Sequence, residues 1–410
     1  MSTPRPASQR EIRRRNLSRV LRAVIDGGPL SRADVAARIG LTRSAVSTLV
    51  DELHRAGLLV EGGPGRTGGV GRPGTALEVT DRGPCGVGAE VGVDRLLVCA
   101  TDLRGGVRAR EEEAADLRGS DPATVLARLR VLLTRVTARA RQQGLTPAGL
   151  AVAVPGLVAR DSTTVVRTPN LGWPATDLRE HLPGPLPLTV GNEADFGAQA
   201  ERWMGGCGGR DDVVHVSARI GIGGAVVLGG QLLRGARGFA GELGHVPVLP
   251  EGRACGCGGR GCLEQYAGEE ALLRAAGPAP AGPAAHREDR TSALADRAAA
   301  GEEAALRALR DGGRALGIAL AGVVNLLDPE AVVLGGALAR LGPYLIPPLS
   351  AELRARAAAP GPVPAVLVSA LGADGPLLGA AHSVVRSVYR DPAAYATGRV
   401  AVGGADSRNG

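Results

Sequence analysis

The sequence predicts an α/β protein in two parts, a small helical head that ends in a β-hairpin and a larger body. Apolar residues recur at helical spacing in three short segments near the N-terminus. From residue 84 onward, strand patterns alternate with helix patterns, which is typical of an α/β fold. The 410 residues fit two or three domains, and 44% apolar residues can form sizeable cores, which excludes a wholly disordered chain.

The positive charge of the chain is concentrated in the head. Residues 1–82 carry 14 arginines and 8 acidic residues, whereas the remaining 328 residues carry 34 and 33. The chain has no lysine, a bias that genome composition explains, but composition does not explain the asymmetry between the two parts. Local positive charge next to a nearly neutral body indicates a nucleic-acid-binding head.

Residues 16–80 predict a winged helix-turn-helix domain. A first helix ends at a Gly-Gly-Pro stop. Ser31 and Asp34 form the capping-box pattern of a short second helix, and after a glycine turn Thr42 caps a third helix. The following hairpin has a glycine-rich tip at residues 62–74, which is slim enough to act as a wing.

The outer face of the third helix is expected to enter the major groove, because short hydroxyls let it approach and an arginine reaches guanine or phosphate. The two arginines of the wing tip would contact phosphates or the minor groove. The alternative is an ordinary three-helix subdomain with a solvated polar face. The predicted DNA-binding residues are Thr42, Arg43, Ser44, Ser47, Thr48, Arg66 and Arg72.

The body, residues 84–390, is predicted to have two lobes with a boundary near residue 190. A strand, turn and strand at residues 85–100 recur at residues 213–228, so each lobe would present a turn to a shared cleft. Helices are expected at 122–143 and 294–327, and a flexible loop at 277–290.

The two ends of the chain are predicted to lack fixed structure. Residues 1–15 should be flexible and basic, and residues 391–410 should form a disordered tail. The N-terminus lacks the apolar core of a signal peptide, and no apolar stretch is long enough to span a bilayer. We therefore expect a soluble cytoplasmic protein.

One histidine and three cysteines form the sharpest chemical motif. The residues are His245, Cys255, Cys257 and Cys262, so one imidazole and three thiols fall within 18 residues. Structural zinc takes such a tetrahedral set, and four protein ligands leave no open position for a reactive water. A Cys-x-Cys disulfide would be strained. The motif at 245–262 therefore predicts one structural zinc ion per chain.

Several segments of the body match the motifs of one known family. The most specific are Gly-Glu-x-Gly-His at 241–245 and Cys-x-Cys-Gly-x-x-Gly-Cys-x-Glu at 255–264. The others are Val-Pro-Gly at 154–156, Pro-Asn-Leu-Gly-Trp at 169–173, Asn-Glu-Ala at 192–194, Gly-Ile-Gly-Gly at 221–224, and Asn325 with residues 328–336. These segments resemble the ROK family (repressors, open reading frames and kinases), whose repressor branch carries a winged helix. The resemblance implies a two-lobed actin-like/ribonuclease-H-like fold that closes on a sugar.

The resemblance also implies which residues bind the sugar. Carboxylates and amides suit this task because they form paired hydrogen bonds with vicinal hydroxyls. His245 would place one ring nitrogen on zinc and the other toward the sugar. Outside the family context, Asn170 and Glu264 are as readily turn or cap residues, and Glu242 would only support the zinc site. The implied residues are Asn170, Asn192, Glu193, Glu242, His245 and Glu264.

Three departures from the kinase branch predict that the chain has no catalytic residues. ROK kinases hold ATP phosphates with Asp-x-Gly-Gly-Thr in the first hairpin and Gly-Thr-Gly in the second. Here residues 90–94 are Glu-Val-Gly-Val-Asp and residues 219–221 are Arg-Ile-Gly. The general-base aspartate corresponds to Glu193, which is one methylene longer and so displaced for proton abstraction.

Together these patterns predict a sugar-responsive transcriptional regulator, a repressor of carbohydrate uptake or catabolism genes, and not an enzyme. The alternative is an ATP-dependent ROK sugar kinase with an attached DNA-binding head, and a zinc-stapled interaction protein is a third hypothesis. The expected partners are double-stranded operator DNA and a small sugar or sugar-phosphate, without a membrane. Because operators contain two half-sites, a homodimer or a dimer of dimers is expected.

Overall fold

The N-terminal head consists of three helices and a small antiparallel sheet. The computed structural model describes residues 8–64, 75–278 and 287–396. In chain order the head contains α1 (Gln9–Gly27), β1 (Leu30–Ser31), α2 (Arg32–Ile39), α3 (Arg43–Arg55), β2 (Leu59–Pro64) and β3 (Thr75–Val79). Strand β3 lies between β1 and β2 and is antiparallel to both. These elements confirm the predicted winged helix-turn-helix.

Helix α1 begins earlier than the sequence predicts. The Ser8 hydroxyl accepts a hydrogen bond from the backbone N–H of Glu11, whose carboxylate accepts one from the backbone N–H of Ser8. This capping box satisfies two N–H groups that a helix start otherwise leaves unpaired. The prediction that residues 1–15 are flexible is therefore wrong for residues 9–15, and residues 1–7 lie outside the described residues.

The first lobe of the body is built on a five-stranded sheet. Its elements are β4 (Gly83–Val91), β5 (Arg95–Thr101), β6 (Val107–Ala114), α4 (Pro122–Gln142), β7 (Leu145–Val154), β8 (Leu157–Val158), β9 (Thr164–Arg167), β10 (Thr176–Asp177), α5 (Leu178–His181), β11 (Leu188–Asn192) and α6 (Glu193–Trp203). The strand order is β11-β7-β4-β5-β6, and β10, β9 and β8 form a separate small sheet. Asp121 caps α4, which confirms the helix predicted at 122–143.

The second lobe contains another five-stranded sheet with more helices. Its elements are β12 (Val213–Ala218), β13 (Ile222–Leu228), β14 (Gln231–Leu232), a 3₁₀ turn (Leu243–His245), α7 (Glu264–Ala267), α8 (Glu269–Ala275), α9 (Arg287–Ala299), α10 (Glu303–Leu327), β15 (Ala331–Gly336), α11 (Ala337–Arg340), α12 (Gly342–Arg356) and β16 (Ala365–Val368). A second 3₁₀ turn (Gly372–Asp374) leads into α13 (Gly375–Arg390) and α14 (Pro392–Ala396). The sheet order is β14-β13-β12-β15-β16.

Three predicted segments of this lobe differ in detail from the structure. The helix expected at 294–327 is two helices, α9 and α10, which separate where Gly301 adopts a left-handed φ of 80°. Of the loop expected at 277–290, residues 287–290 belong to α9, and residues 279–286 lie outside the described residues. The predicted tail begins with helix α14, and residues 397–410 are likewise outside that part of the chain.

The two sheets repeat one strand order. In each, an antiparallel hairpin (β4 with β5, β12 with β13) has a third antiparallel strand on one side. On the other side, two parallel strands follow (β7 with β11, β15 with β16). This repeat confirms the predicted two-lobed actin-like/ribonuclease-H-like architecture.

Helix α13 connects the head to the body. It packs against β4, β7 and α6, and its C-terminal end contacts α1 of the head. Apolar side chains of α1, α2 and α3 share one buried cluster with Phe196 of α6 and with Val385 and Val388 of α13. The Ser18 hydroxyl of α1 also donates a 2.8 Å hydrogen bond to the Tyr389 carbonyl. Head and body therefore share a core, which fixes their relative position.

Within the described ranges, no helix combines the length and the apolar character that a membrane crossing requires.

The contact between α13 and α6 generates a first prediction. A methyl group on Gly379 would overlap the carbonyl oxygen of Phe196. Gly379→Ala should therefore lower the free energy of unfolding by about 1–3 kcal/mol, as measured by urea denaturation.

Gly322→Ala is the matched control, because Gly322 is an exposed helical glycine of α10 with open space around it. This variant should be stabilised by up to about 1 kcal/mol, since alanine favours helix over glycine. Equal effects of the two substitutions would contradict the close packing of α13 on α6.

Candidate functional site

A cavity of about 460 Å³ lies in the cleft between the two lobes. The first lobe contributes the segment from Pro155 to Leu157 and the start of α6, and the second contributes the β12–β13 turn and the 3₁₀ turn. The volume suits a small ligand. The structure brings all six of the predicted sugar-binding residues to this one cavity: Asn170, Asn192, Glu193, Glu242, His245 and Glu264.

Asn192 holds the wall of the cavity together. Its amide nitrogen donates a 2.8 Å hydrogen bond to the Gly156 carbonyl, and its amide oxygen accepts a 2.7 Å bond from the backbone N–H of Ala194. The side chain therefore caps α6 and fixes the 154–156 turn at the same time. One amide hydrogen of Asn192 remains for a ligand.

Glu193 presents a carboxylate oxygen without a hydrogen-bond partner among the described residues. Its Oε2 is buried and lies 3.9 Å from a guanidinium nitrogen of Arg219. Burial raises the pKa of the Glu193 carboxyl, and the nearby Arg219 opposes that shift. A ligand hydroxyl would satisfy the oxygen, because a buried polar atom without a partner is costly.

Three thiols and one imidazole converge beside the cavity. The candidate ligand atoms of His245, Cys255, Cys257 and Cys262 all lie within 4.8 Å of one another. Cys257 Sγ lies 3.7 Å from Cys262 Sγ, and Cys255 Sγ lies 3.6 Å from His245 Nδ1. A metal ion fits this donor set in number, chemistry and spacing.

The tight loop that carries the thiols depends on glycine. Gly258 adopts φ of 94° and Gly261 adopts φ of 71°, a region that side chains disfavour. Backbone bridges pair Ala254 with Arg260 and Pro247 with Cys262, which closes the loop around the sulfur atoms. The folded backbone therefore brings the four side chains together.

His245 faces both the thiol cluster and the cavity. Its Nδ1 lies on the side of Cys255, whereas its Nε2 lies 3.7 Å from a carboxylate oxygen of Glu242. Glu264 also connects the thiol cluster with the cavity. It lines the cavity, and its Oε1 accepts a 2.9 Å hydrogen bond from the Cys255 thiol. The cluster and the cavity therefore share a wall, and Cys257 itself lines the cavity.

A buried ion pair crosses the floor of the cleft. A guanidinium nitrogen of Arg219, at the end of β12, lies 2.6 Å from the Glu90 carboxylate on β4, which is fully buried. Arg95 lies 3.7 Å from the same oxygen, and both arginines donate to the Ala373 carbonyl at 3.1–3.3 Å. Residues 90–94 and 219–221, the segments that resemble the phosphate loops of the kinases, are therefore joined by the ion pair between Arg219 and Glu90.

The predicted recognition face of α3 is accessible. Thr42, Arg43, Ser44 and Thr48 are exposed and Ser47 is half-buried. Thr42 caps the helix by accepting a 3.3 Å hydrogen bond from the backbone N–H of Ala45. The predicted wing residues Arg66 and Arg72 lie outside the described residues.

Three arginines that no sequence motif singled out also hold important positions. Arg32 of α2 pairs with Asp51 of α3 at 2.8 Å and with Glu61 of β2 at 3.0 Å, which ties the recognition helix to the wing. Arg167 and Arg237 line the cavity. A motif search misses them because arginine is abundant in this chain and their positions follow from the tertiary fold.

A model of the ROK family matches residues 86–386, which is more than half of the chain. The chain belongs to the ROK family. A model of the MarR family matches residues 18–68, which contain the second half of α1 together with α2 and α3. ROK membership accounts for the two-lobed body, and the MarR match accounts for the winged helix.

The known relatives described next cover between 73% and 95% of the chain. The xylose repressor of Bacillus subtilis is 30% identical over 384 residues, which are 92% of this chain and 97% of that protein. A solved ROK family transcriptional regulator, a homologue of the E. coli MLC protein, is 26% identical with a TM-score of 0.76 and covers 95% of this chain and 99% of that one. The ROK glucokinase of Streptomyces griseus, solved with glucose and AMPPNP, is 26% identical with a TM-score of 0.62 and covers 73% of this chain and 98% of that one.

The buried ion pair generates a second prediction. Arg219→Ala should lower the free energy of unfolding by about 3–5 kcal/mol, because it leaves the Glu90 charge buried without its closest partner. Urea denaturation measures the change, and the double variant Glu90→Gln/Arg219→Ala should recover much of the loss.

Arg128→Ala is the control for this experiment. Arg128 pairs with Glu113 at the surface of the same protein, with about a third of each side chain exposed. Its loss should change stability by less than about 1 kcal/mol. An Arg219 variant as stable as the Arg128 variant would show that Glu90 does not depend on the pair.

Proposed function

We propose that this protein is a sugar-responsive transcriptional repressor of carbohydrate uptake or catabolism genes. The observation that carries the proposal is the joining of a winged helix to a ROK cleft whose cavity gathers six hydrogen-bonding side chains. The Bacillus subtilis relative named as a xylose repressor aligns with both parts. Such a regulator would work in the cytoplasm, where its operator DNA lies.

The sugar would bind between the lobes through its hydroxyl groups. Asn170 and Asn192 approach from the first lobe, and Glu242, His245 and Glu264 from the second. The unpartnered oxygen of Glu193 supplies a further acceptor. A sugar that bridges both sides would favour one lobe arrangement over another, which is the condition for a change in DNA affinity.

The thiol cluster is proposed to hold one structural zinc ion, with His245, Cys255, Cys257 and Cys262 as ligands. Bound zinc would fix the tautomer and the orientation of the His245 ring. The other ring nitrogen of His245 and the Glu264 carboxylate would then hold set positions in the cavity wall. Four protein ligands make the role positional and not catalytic.

We propose that the protein has no kinase activity, and the residues at the cleft floor support this. In place of the hydroxyl and flexible glycine of a phosphate loop, Arg219 projects its guanidinium to Glu90. Glu193 lies 3.9 Å from Arg219, and it is one methylene longer than the aspartate of the kinases, which displaces its carboxylate for proton abstraction. The second candidate function is a sugar kinase, which the glucokinase relatives favour. Sugar-dependent ADP release would establish it, and we expect none.

Helices α6 and α13 are proposed to connect the cavity with the head. Helix α6 starts at the cavity with Glu193 and packs along α13, whose C-terminal end contacts α1. A homodimer or dimer of dimers would place two recognition helices on two half-sites of an operator. A sugar-induced change in lobe arrangement would then alter the spacing of the heads.

The central prediction concerns operator titrations with and without the bound sugar. The operator is selected from random duplexes, and the sugar from a thermal-shift screen. Arg43→Ala should weaken operator binding by roughly 1–3 kcal/mol, because Arg43 is exposed at the start of α3.

Glu242→Gln should bind the operator as wild type does but lose the sugar response, which in wild type should be about 5- to 150-fold.

Arg22→Ala is the control for charge loss in the head, because Arg22 is exposed on α1, lies near Arg386 of α13 and is not one of the predicted DNA-binding residues. Its effect on operator affinity should be smaller than that of Arg43→Ala. A full sugar response by Glu242→Gln would contradict the cavity assignment, and equal effects of the two arginine variants would contradict base reading by α3.

A further prediction tests the metal. Elemental analysis should find about one zinc per chain, and Cys257→Ser should lower both the zinc content and the affinity for the sugar, measured by calorimetry. Both effects are expected because Cys257 belongs to the thiol cluster and lines the cavity.

Cys207→Ser is the matched control, since Cys207 is a buried thiol remote from the cluster, packed against Val213 and Val333. It should retain its zinc. Full sugar affinity in a folded, metal-free sample would refute the coupling between the metal and the cavity.

A further inference from the structure

Two arginines at the cavity form no hydrogen bond or ion pair with the residues that the structure describes. Arg167, at the end of β9, and Arg237, in the loop before the 3₁₀ turn, both line the cavity and are exposed. Within the described ranges, neither guanidinium makes a hydrogen bond or an ion pair. The contact recorded for Arg237 is with the ring of Phe239, whose centroid lies 5.3 Å from the guanidinium carbon. Both cations are therefore available to a ligand.

The neighbouring arginines, in contrast to Arg167 and Arg237, form hydrogen bonds or ion pairs with other residues of the protein. Arg160 donates a 3.3 Å hydrogen bond to the Ala236 carbonyl, and Arg234 donates a 2.7 Å bond to the Ser162 hydroxyl, so both link the two lobes. Arg219, the other arginine that lines the cavity, is held by Glu90. Among the described residues, three of these arginines are thus bound to other parts of the protein, whereas Arg167 and Arg237 are not.

Arg167 and Arg237 come from opposite lobes but flank the same strand. Arg167 is the register partner of Leu157 in β8, and Leu157 lines the cavity. The loop that carries Arg237 touches this strand too, because a Cβ on Gly238 would lie 2.8 Å from the carbonyl oxygen of Val158. The backbones of Arg167 and of the loop that carries Arg237 therefore lie beside the same strand, and both residues line the cavity.

The charges of the cavity suit a ligand with two kinds of polar group. The carboxylates of Glu193, Glu242 and Glu264 accept hydrogen bonds, as hydroxyl groups require. Guanidiniums only donate, and their planar forks match the oxygens of a phosphate or a carboxylate. A neutral sugar would use the carboxylates but would leave the two arginines without an anionic partner.

We infer that the effector is an anionic sugar, whose phosphate or carboxylate group is held by Arg167 and Arg237 while its hydroxyls contact the carboxylates. This inference rests on the proposed function, since it names the chemical class of the ligand of the same cavity. Because the two arginines belong to different lobes, the anion would also link the lobes at the cleft rim. Anion binding would in this way add to the closure that the hydroxyl contacts favour.

The test compares matched sugars that differ in the anion. Calorimetry on the full-length protein would use glucose, glucose 6-phosphate and glucuronate, and the corresponding pairs of mannose and N-acetylglucosamine with their 6-phosphates. In at least one set the anionic sugar should bind about 10- to 100-fold more tightly than its neutral parent. The phosphate and uronate arms identify which anion is preferred. The difference in affinity between the anionic and the neutral sugar should decrease as the salt concentration is raised.

The double variant Arg167→Ala/Arg237→Ala should bring the ratio of the two dissociation constants close to one. Arg179→Ala is the matched control, because Arg179 is exposed in the same lobe, pairs with Asp177 and does not line the cavity. It should leave the ratio at the wild-type value. Melting temperatures without ligand verify that each variant is folded.

The outcomes separate this inference from the proposed function. A neutral sugar that binds as tightly as its anionic partner, or an unchanged ratio in the double variant, would overturn the anion subsite and leave the sugar-responsive regulator standing. Binding of no sugar in any set would overturn both. Equal binding of inorganic phosphate and the sugar phosphate would also overturn the inference, because it would show a phosphate site without a sugar.

Discussion

Close packing of helix α13 is the constraint on which the rest of the structure depends. A Cβ on Gly88 of β4 would lie 2.5 Å from the Ala381 nitrogen of α13, and Gly379 meets α6 at a comparably short distance. Glycine removes the side chains that would hold these elements apart. Such a contact transmits displacement instead of absorbing it, because packed interiors have few voids. The same helix touches the head, so the position of the head depends on that of the sheet and α6.

The ion pair between Glu90 and Arg219 sets a second constraint, at the floor of the cleft. Buried pairs add little net stability compared with an apolar contact, but they penalise arrangements in which one partner is left alone. Because Glu90 belongs to the first lobe and Arg219 to the second, the pair restricts how far the lobes can separate at the floor. Contacts at the rim, such as Arg234 with Ser162, are partly exposed, so we expect the lobes to separate there more easily than at the floor. A ligand that bridges the rim would then act where movement is least restricted.

The sequence predicts the features that are formed by residues close to one another in the chain. The winged helix follows from caps and helical spacing, and the thiol cluster follows from residues 245–262, because local backbone brings these side chains together. Family motifs also predict which residues meet in the cavity. The partner of Arg219 and the positions of Arg167 and Arg237 depend on contacts between distant segments, and an arginine's long side chain fits many environments. The early start of α1 does not follow from hydrophobic periodicity, because the capping box of Ser8 and Glu11 lies in a polar, basic segment.

The Asn192 side chain connects the cavity wall to α6, the helix that packs against α13. Its amide fixes the Gly156 carbonyl on the cavity wall and caps the first turn of α6. Movement of the wall must therefore either break a hydrogen bond or carry the start of α6 with it. Since the Phe196 carbonyl in the next turn lies against Gly379, a shift of α6 along its axis displaces α13. The far end of α13 is bonded to the head through Ser18 and the Tyr389 carbonyl. A continuous set of packed and hydrogen-bonded groups thus leads from the cavity to the recognition helix, and ligand binding needs only to favour one of its arrangements to change the affinity for DNA.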